Sequence, residues 1–136
     1  MLKQLSIYAE NKKGALQTMT NALYEAGINI WGSVTNDGAE YGINRMVVSD
    51  PDKAKEVLTE KGYLCRFVDV LAVEIEDKPG ALNTLLTALL DSNVNVDYTY
   101  LSFNRDSSTP VMILHTADPP KTRQRPLQIH RVQTAL

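Results

Sequence analysis

Two stretches of this sequence set a glycine three residues after an amide or carboxylate, where alternating apolar residues give way to helical spacing. In residues 10–16, ENKKGAL, the pair is Asn11 and Gly14; in residues 76–82, EDKPGAL, it is Asp77 and Gly80. The chemistry open to such a corner is noncovalent. The first turn of a helix carries N–H groups with no intrahelical acceptor, and it attracts anionic groups. Glycine lets a small molecule come close to the backbone, and the neighbouring Asn or Asp accepts a hydrogen bond. Asn11 tolerates either charge, whereas Asp77 favours a cation and opposes an anion, so the two corners are chemically unequal. The structural alternative is that a glycine before a helix makes only a turn, and that Asn or Asp there caps or turns the backbone.

Groups for making and breaking bonds are not assembled in the same way. The sequence has no phosphate loop, no HExxH, no G-x-S-x-G and no paired-cysteine metal framework. His115 falls in an expected strand and His130 near the end, neither with a carboxylate at motif spacing, so structural or solvent-facing roles are expected of both. Cys65 precedes Arg66, which would lower a thiol pKa, but a lone strand cysteine is usually an inert apolar residue. Trp31, Tyr98 and Tyr100 could wall a pocket, but a large aromatic on a sheet more often packs at a core edge or a dimer contact, and Lys12 and Lys78 read as solvated loop charges. The expectation is a chain with no catalytic residues, no metal and no cofactor.

Composition bounds the rest. The chain has 136 residues, 43% hydrophobic and 22% charged, the balance of an ordinary globular protein. Its net charge of −2 is uneven: Lys121, Arg123, Arg125 and Arg131 fall after residue 118 with no acid among them, leaving an acidic body. An acidic body argues against a nucleic-acid surface, which needs clustered Lys and Arg. One cysteine excludes an intrachain disulfide, and no apolar run is long enough to cross a bilayer. The expected setting is the cytoplasm.

The corners belong to a duplication. Residues 5–32 laid over 71–98 give ten identities without a gap: Leu5/Leu71, Glu10/Glu76, Lys12/Lys78, Gly14/Gly80, Ala15/Ala81, Leu16/Leu82, Thr18/Thr84, Ala22/Ala88, Leu23/Leu89 and Asn29/Asn95. Before each corner, Leu5, Ile7 and Ala9, or Leu71, Val73 and Ile75, alternate as in a half-buried strand. After it, Leu16, Met19, Leu23 and Ala26, or Leu82, Leu85, Leu86, Leu89 and Leu90, recur at helical spacing. Gly27 and Asn93 are placed to end these helices. Strands follow in INIWGSV and VNVDYTYLSF, then in GINRMVVS and PVMILHT, with a hairpin signal at Asn36, Asp37 and Gly38. Asp50 and Pro51 open a second helix that Gly62 stops, and LCRFV closes the first copy.

The order strand, helix, strand, strand, helix, strand predicts an α+β fold: ferredoxin-like βαββαβ, an antiparallel sheet with helices on one face. The expected organisation is a first module over residues 1–68, a second over 69–118, and a divergent basic tail over 119–136. In that tail Pro126 would break a helix interior, so a short helix or strand around 127–132 and a loosely held tail stand as alternatives.

ENKKGALQTMTNALYEAGINI and EDKPGALNTLLTALLDSNVNV resemble the first strand, loop, helix and strand of ACT domains, and the resemblance runs over residues 3–118. It is closest in kind to stand-alone proteins with two such modules in tandem. The resemblance implies a small-molecule sensor that binds an amino acid at an interface between modules, through the loop after the first strand and the helix start. Carried over by position, the ligand-binding residues are Asn11, Gly14, Ala15, Leu16 and Asn29 in the first copy and Asp77, Gly80, Ala81, Leu82 and Asn95 in the second. Lys13 stands where the family often has proline, and Asp77 where asparagine is frequent. A homodimer is expected, since such sheets have edges to cover. A regulatory subunit acting on a biosynthetic enzyme is the alternative. RNA binding is a weaker one, because EYGINRMVV lacks the aromatic and basic pattern of an RNA-recognition strand.

Overall fold

The structure, a computed structural model, describes residues 2–36 and 41–117. The expected turn at Asp37 and Gly38, His130 and the basic tail lie outside the described residues. The chain divides into two compact units, one of Lys3–Val68 and one beginning at Asp69.

In the first unit the elements are β1 (Leu2–Glu10), α1 (Ala15–Glu25), β2 (Ile30–Asn36), β3 (Tyr41–Val48), α2 (Pro51–Glu60) and the opening of β4 (Leu64–Glu74). The strand order is β2-β3-β1-β4. β3 lies between β1 and β2, antiparallel to both, with Leu5 opposite Met46, Ile7 opposite Asn44, and Thr35 opposite Asn44 on the other side. The helices cover one face of this sheet. Leu5, Ile7, Met46, Val48 and Cys65 from the strands close on Met19, Ala22 and Leu23 of α1 and on Ala54 and Leu58 of α2. The alternation of β1 and the helical spacing of α1 thus meet in one core.

The second unit repeats the first half of this plan with the rest of β4, α3 (Ala81–Asp91), β5 (Val96–Phe103) and β6 (Pro110–Thr116), in the order β4-β6-β5. β6 is antiparallel to both neighbours, with Val73 and Leu101 each opposite Met112. Leu71, Val73, Met112 and Leu114 pack beneath Leu85 and Leu89. LCRFV and the apolar run that opens the second copy form one uninterrupted strand, β4, with no turn between them.

The helix ends follow the sequence signals. Gly27, Gly62 and Asn93 all take positive φ. In each case the N–H after the turn reaches a leucine carbonyl five residues back: Ile28 to Leu23, Tyr63 to Leu58 and Val94 to Leu89. Asp50 accepts from the N–H of Lys53 at 3.2 Å, and Pro51 begins α2, so that helix is capped by its own chain.

Burial sets the energetic ranking. Leu23 is fully buried, whereas Leu90 is 74% exposed. Leu23→Ala is expected to cost roughly 2–5 kcal/mol, while Leu90→Ala stays within about 0.5 kcal/mol; urea unfolding of the two variants checks the difference.

Candidate functional site

The two repeated corners have the same geometry. Gly14 precedes α1 with φ 83° and Gly80 precedes α3 with φ 86°, both in the left-handed region that suits glycine. In the loop before them Lys12 N–H donates to Glu10 O at 3.1 Å and Lys78 N–H to Glu76 O at 3.0 Å. Ala15 N–H then donates to Lys12 O, and Ala81 N–H to Lys78 O, closing the turn. Thr18 Oγ1 donates to the carbonyl of Gly14 at 2.9 Å and Thr84 Oγ1 to that of Gly80 at 3.0 Å. These threonines tie the first helical turn to the glycine. Sequence reasoning passed over them, although Thr18 and Thr84 are among the ten identities.

A glycine at the cap has no side chain to offer the first-turn N–H groups, and neither helix has an acidic residue in that turn. The contrast with α2, capped by Asp50 and carrying Asp52 in its first turn, is chemical. Beyond the Ala15 and Ala81 N–H groups taken up by the turn, the starts of α1 and α3 have no side-chain cap on their donors and no acid to offset their positive potential, whereas in α2 Asp50 takes the Lys53 N–H and Asp52 adds negative charge.

Lys12 pairs with Glu10 at 3.1 Å, and Lys78 with Glu76 at 2.6 Å, so the same exposed ion pair flanks each corner. The hydrogen bond from Lys78, reinforced by its charge, holds the Glu76 carboxyl below its ordinary value. No ion pair among the described residues uses Asp77.

Each corner opens on a groove against the helix-facing side of its own sheet. In the first unit Asn11, Ala15 and Leu16 line a groove of about 160 Å³ with Met19, Thr35 and Asn44. Gly14 borders an adjoining depression with Lys13, Gln17 and Tyr63. In the second unit Asp77, Gly80, Ala81 and Leu82 share one groove of about 620 Å³ with Leu86, Leu101 and Phe103. Asn29 and Asn95 stand elsewhere in their units. Each stands one residue before the strand that follows the helix, so 11 residues of α1 or α3, about 16 Å at the rise of an α-helix, separate it from its own corner. The backbone N–H of Asn29 donates to Ser49 Oγ at 2.9 Å, and Asn95 Nδ2 donates to Asp97 Oδ1 at 3.2 Å.

One cluster was not visible in sequence spacing. The β5/β6 pairing brings His115 Nδ1 within 2.9 Å of Asp97 Oδ2, and the imidazole stacks on Tyr98 with centroids 4.9 Å apart. The two are far apart in the chain, so only the strand register reveals them. Burial pushes the Cys65 thiol above its ordinary value, against the opposing pull of Lys55, which suits an inert core residue. Among the described residues no group of His, Cys, Asp and Glu is placed to hold a metal ion, and no helix is long and apolar enough to cross a membrane.

A βαββαβ unit followed by a second unit that repeats its glycine corner defines a class: paired ferredoxin-like modules. The chain belongs to the ACT domain pair family, whose model matches residues 1–132. It is similar to a protein of solved structure from Bacteroides thetaiotaomicron, with 32% identity over 86% of this chain and 80% of that one and a TM-score of 0.78. It also shares its fold with the regulatory subunit of aspartate kinase from Thermus thermophilus in its ligand-free form, at 15% identity, over 85% of this chain and 83% of that one, TM-score 0.64. The regulatory subunit of aspartate kinase from Thermus flavus is similar at 17% identity, over 84% and 83% of the two chains, TM-score 0.53. No curated protein matches the chain.

Two changes test the corner. No heavy atom lies within 4 Å of a Cβ built on Gly80, so Gly80→Ala meets backbone strain alone. It is expected to lose about 1–2 kcal/mol in urea unfolding, and Gly80→Asn less. Lys78→Met returns the Glu76 titration upward, read by NMR. In the parent chain the pair forms at neutral pH and is lost as pH falls through the lowered carboxyl value.

Proposed function

We propose that this chain is a ligand-sensing regulatory protein that binds a free amino acid at its glycine corners and performs no catalysis of its own. One observation carries the reading: the helix starts that open on grooves, α1 and α3, have glycine caps and no acid in the first turn, while α2 is capped by Asp50. An amino acid presents a carboxylate and an ammonium a few ångströms apart. The first-turn N–H groups that follow Ala15 and Ala81 receive the carboxylate, and Asn11 or Asp77 receives the ammonium. Ala15, Leu16, Ala81 and Leu82 supply those turns, and Asn29 and Asn95 complete a site where another module brings that end of its helix to the ligand.

Binding acts by population. A ligand held by one arrangement of modules or copies better than by another shifts the balance toward the first. The chain works as a homodimer in the cytoplasm, or as the regulatory partner of a biosynthetic enzyme. The second form is supported by the shared fold of the aspartate kinase regulatory subunits.

Thermal-shift measurements on the purified full chain with each of the twenty amino acids test this. At 100 times its Kd a ligand stabilises the native state by about 2.7 kcal/mol, a rise of several degrees. A selective rise that Gly14→Val and Gly80→Val together abolish, in a variant that still folds by circular dichroism, is the expected result. A rise that survives both substitutions places the ligand elsewhere.

A further inference from the structure

The two grooves present different walls at equivalent positions. In the first unit the helix-facing side of the sheet near the corner carries Ser33, Thr35 and Asn44, joined by hydrogen bonds: Asn44 Nδ2 donates to Thr35 Oγ1 at 2.7 Å and to Ser33 Oγ at 3.3 Å. In the second unit the alignment of the repeat and the strand register put Thr99, Leu101 and Met112 at those places. The polar wall has become largely apolar. Ala9 gives way to Ile75, and Leu101 and Phe103, 48% and 53% exposed, stand at the mouth of the larger groove. Two large apolar side chains exposed side by side along a groove form the kind of apolar patch that marks a binding surface.

Charge decides what covers them. Asp77, outside the ion pairs of the described residues, and the start of α3, which no side chain caps, both line this groove. An occupant must bring a cation and an anion close together on one small carbon centre, and an apolar group that reaches Leu86, Leu101 and Phe103. We propose that the second groove selects free α-amino acids with large aliphatic or aromatic side chains, and that the first groove, with the Asn44 amide and the Thr35 hydroxyl in its wall, does not. This rests on the sensor reading above and adds the ligand class and its location. Asn44 and Thr35 already satisfy each other, so a large apolar side chain entering the first groove would strip water from polar groups without replacing it.

Isothermal titration calorimetry on the full chain tests the assignment. The probes are L-leucine, L-phenylalanine, L-serine and L-threonine, with L-leucinamide and isovalerate as analogues lacking one charge. L-Leucine or L-phenylalanine is expected to bind about tenfold or more tighter than L-threonine, and both analogues to bind far more weakly than L-leucine. Leu101→Thr, which imports the first copy's residue at a half-exposed site, is expected to remove that preference without moving the melting temperature of the unliganded chain. Phe103→Ser gives an independent second reading of the same wall. If an amino acid binds with no apolar preference, or with one that neither substitution changes, the selectivity is overturned and the sensor reading stands. If none binds, both fall; a dimer that Leu101→Thr dissociates in sedimentation would then assign the apolar wall to a contact between copies.

Discussion

A strand that passes its chain to a helix lying over the same sheet must reverse direction in a few residues, and every other feature of these units depends on that turn. Gly14 and Gly80 make it by adopting φ 83° and 86°. With the turn in place, Leu5 and Ile7 face Met19 and Leu23, and Leu71 and Val73 face Leu85 and Leu89. The core of each unit is therefore set by a backbone conformation that a side chain resists. Glycine at a helix cap sacrifices only a few tenths of a kcal/mol relative to Ser or Asp, so the turn is tolerated at little cost to the helix. The consequence reaches beyond stability: the same glycine that permits the turn leaves the helix start without a capping side chain.

The comparison of α2 with α1 and α3 separates a helix start capped by a side chain from two capped by glycine. Asp50 reaches the N–H of Lys53, Pro51 supplies no N–H to satisfy, and Asp52 adds charge of the complementary sign. That helix closes its own electrostatics. At the repeated corners the acids lie outside the helices, with Glu10 and Glu76 held by Lys12 and Lys78, so the positive helix ends face their grooves. Thr18 and Thr84 strengthen the glycine carbonyls' place in the first turn without occupying the donors.

Much of this was legible in sequence because it is local. The change of period at each corner, the glycine and asparagine stops at Gly27, Gly62 and Asn93, and the Asp50-Pro51 start all act within one turn of the chain, where spacing reports geometry directly. The duplication carried the fold, since a second copy of the same alternation and the same helix leaves few topologies open. What escaped was set by pairing across strands. His115 meets Asp97 through the register of β5 and β6, and Asn44 meets Thr35 through that of β2 and β3. Neither contact has a sequence period. The position of Asn29 escaped for a related reason: adjacency in the motif gave no length, and α1 carries the chain to the far end of the unit before β2 begins.

Duplication also explains why the groove walls diverged while the corner glycines did not. A substitution at Gly14 or Gly80 strains the turn and, through it, the core, so both copies keep the glycine. The groove walls answer to no such demand. Thr35 and Leu101 occupy equivalent places near the ends of β2 and β5, where the side chain meets the groove more than the core. One of them is bonded to a buried asparagine, and the other faces open space beside Phe103. Ligand preference can change at such positions for little stability, because a half-exposed side chain buries little area in either form. Two units that share an obligatory turn can therefore differ in the walls beside it, and in this chain those walls differ in polarity.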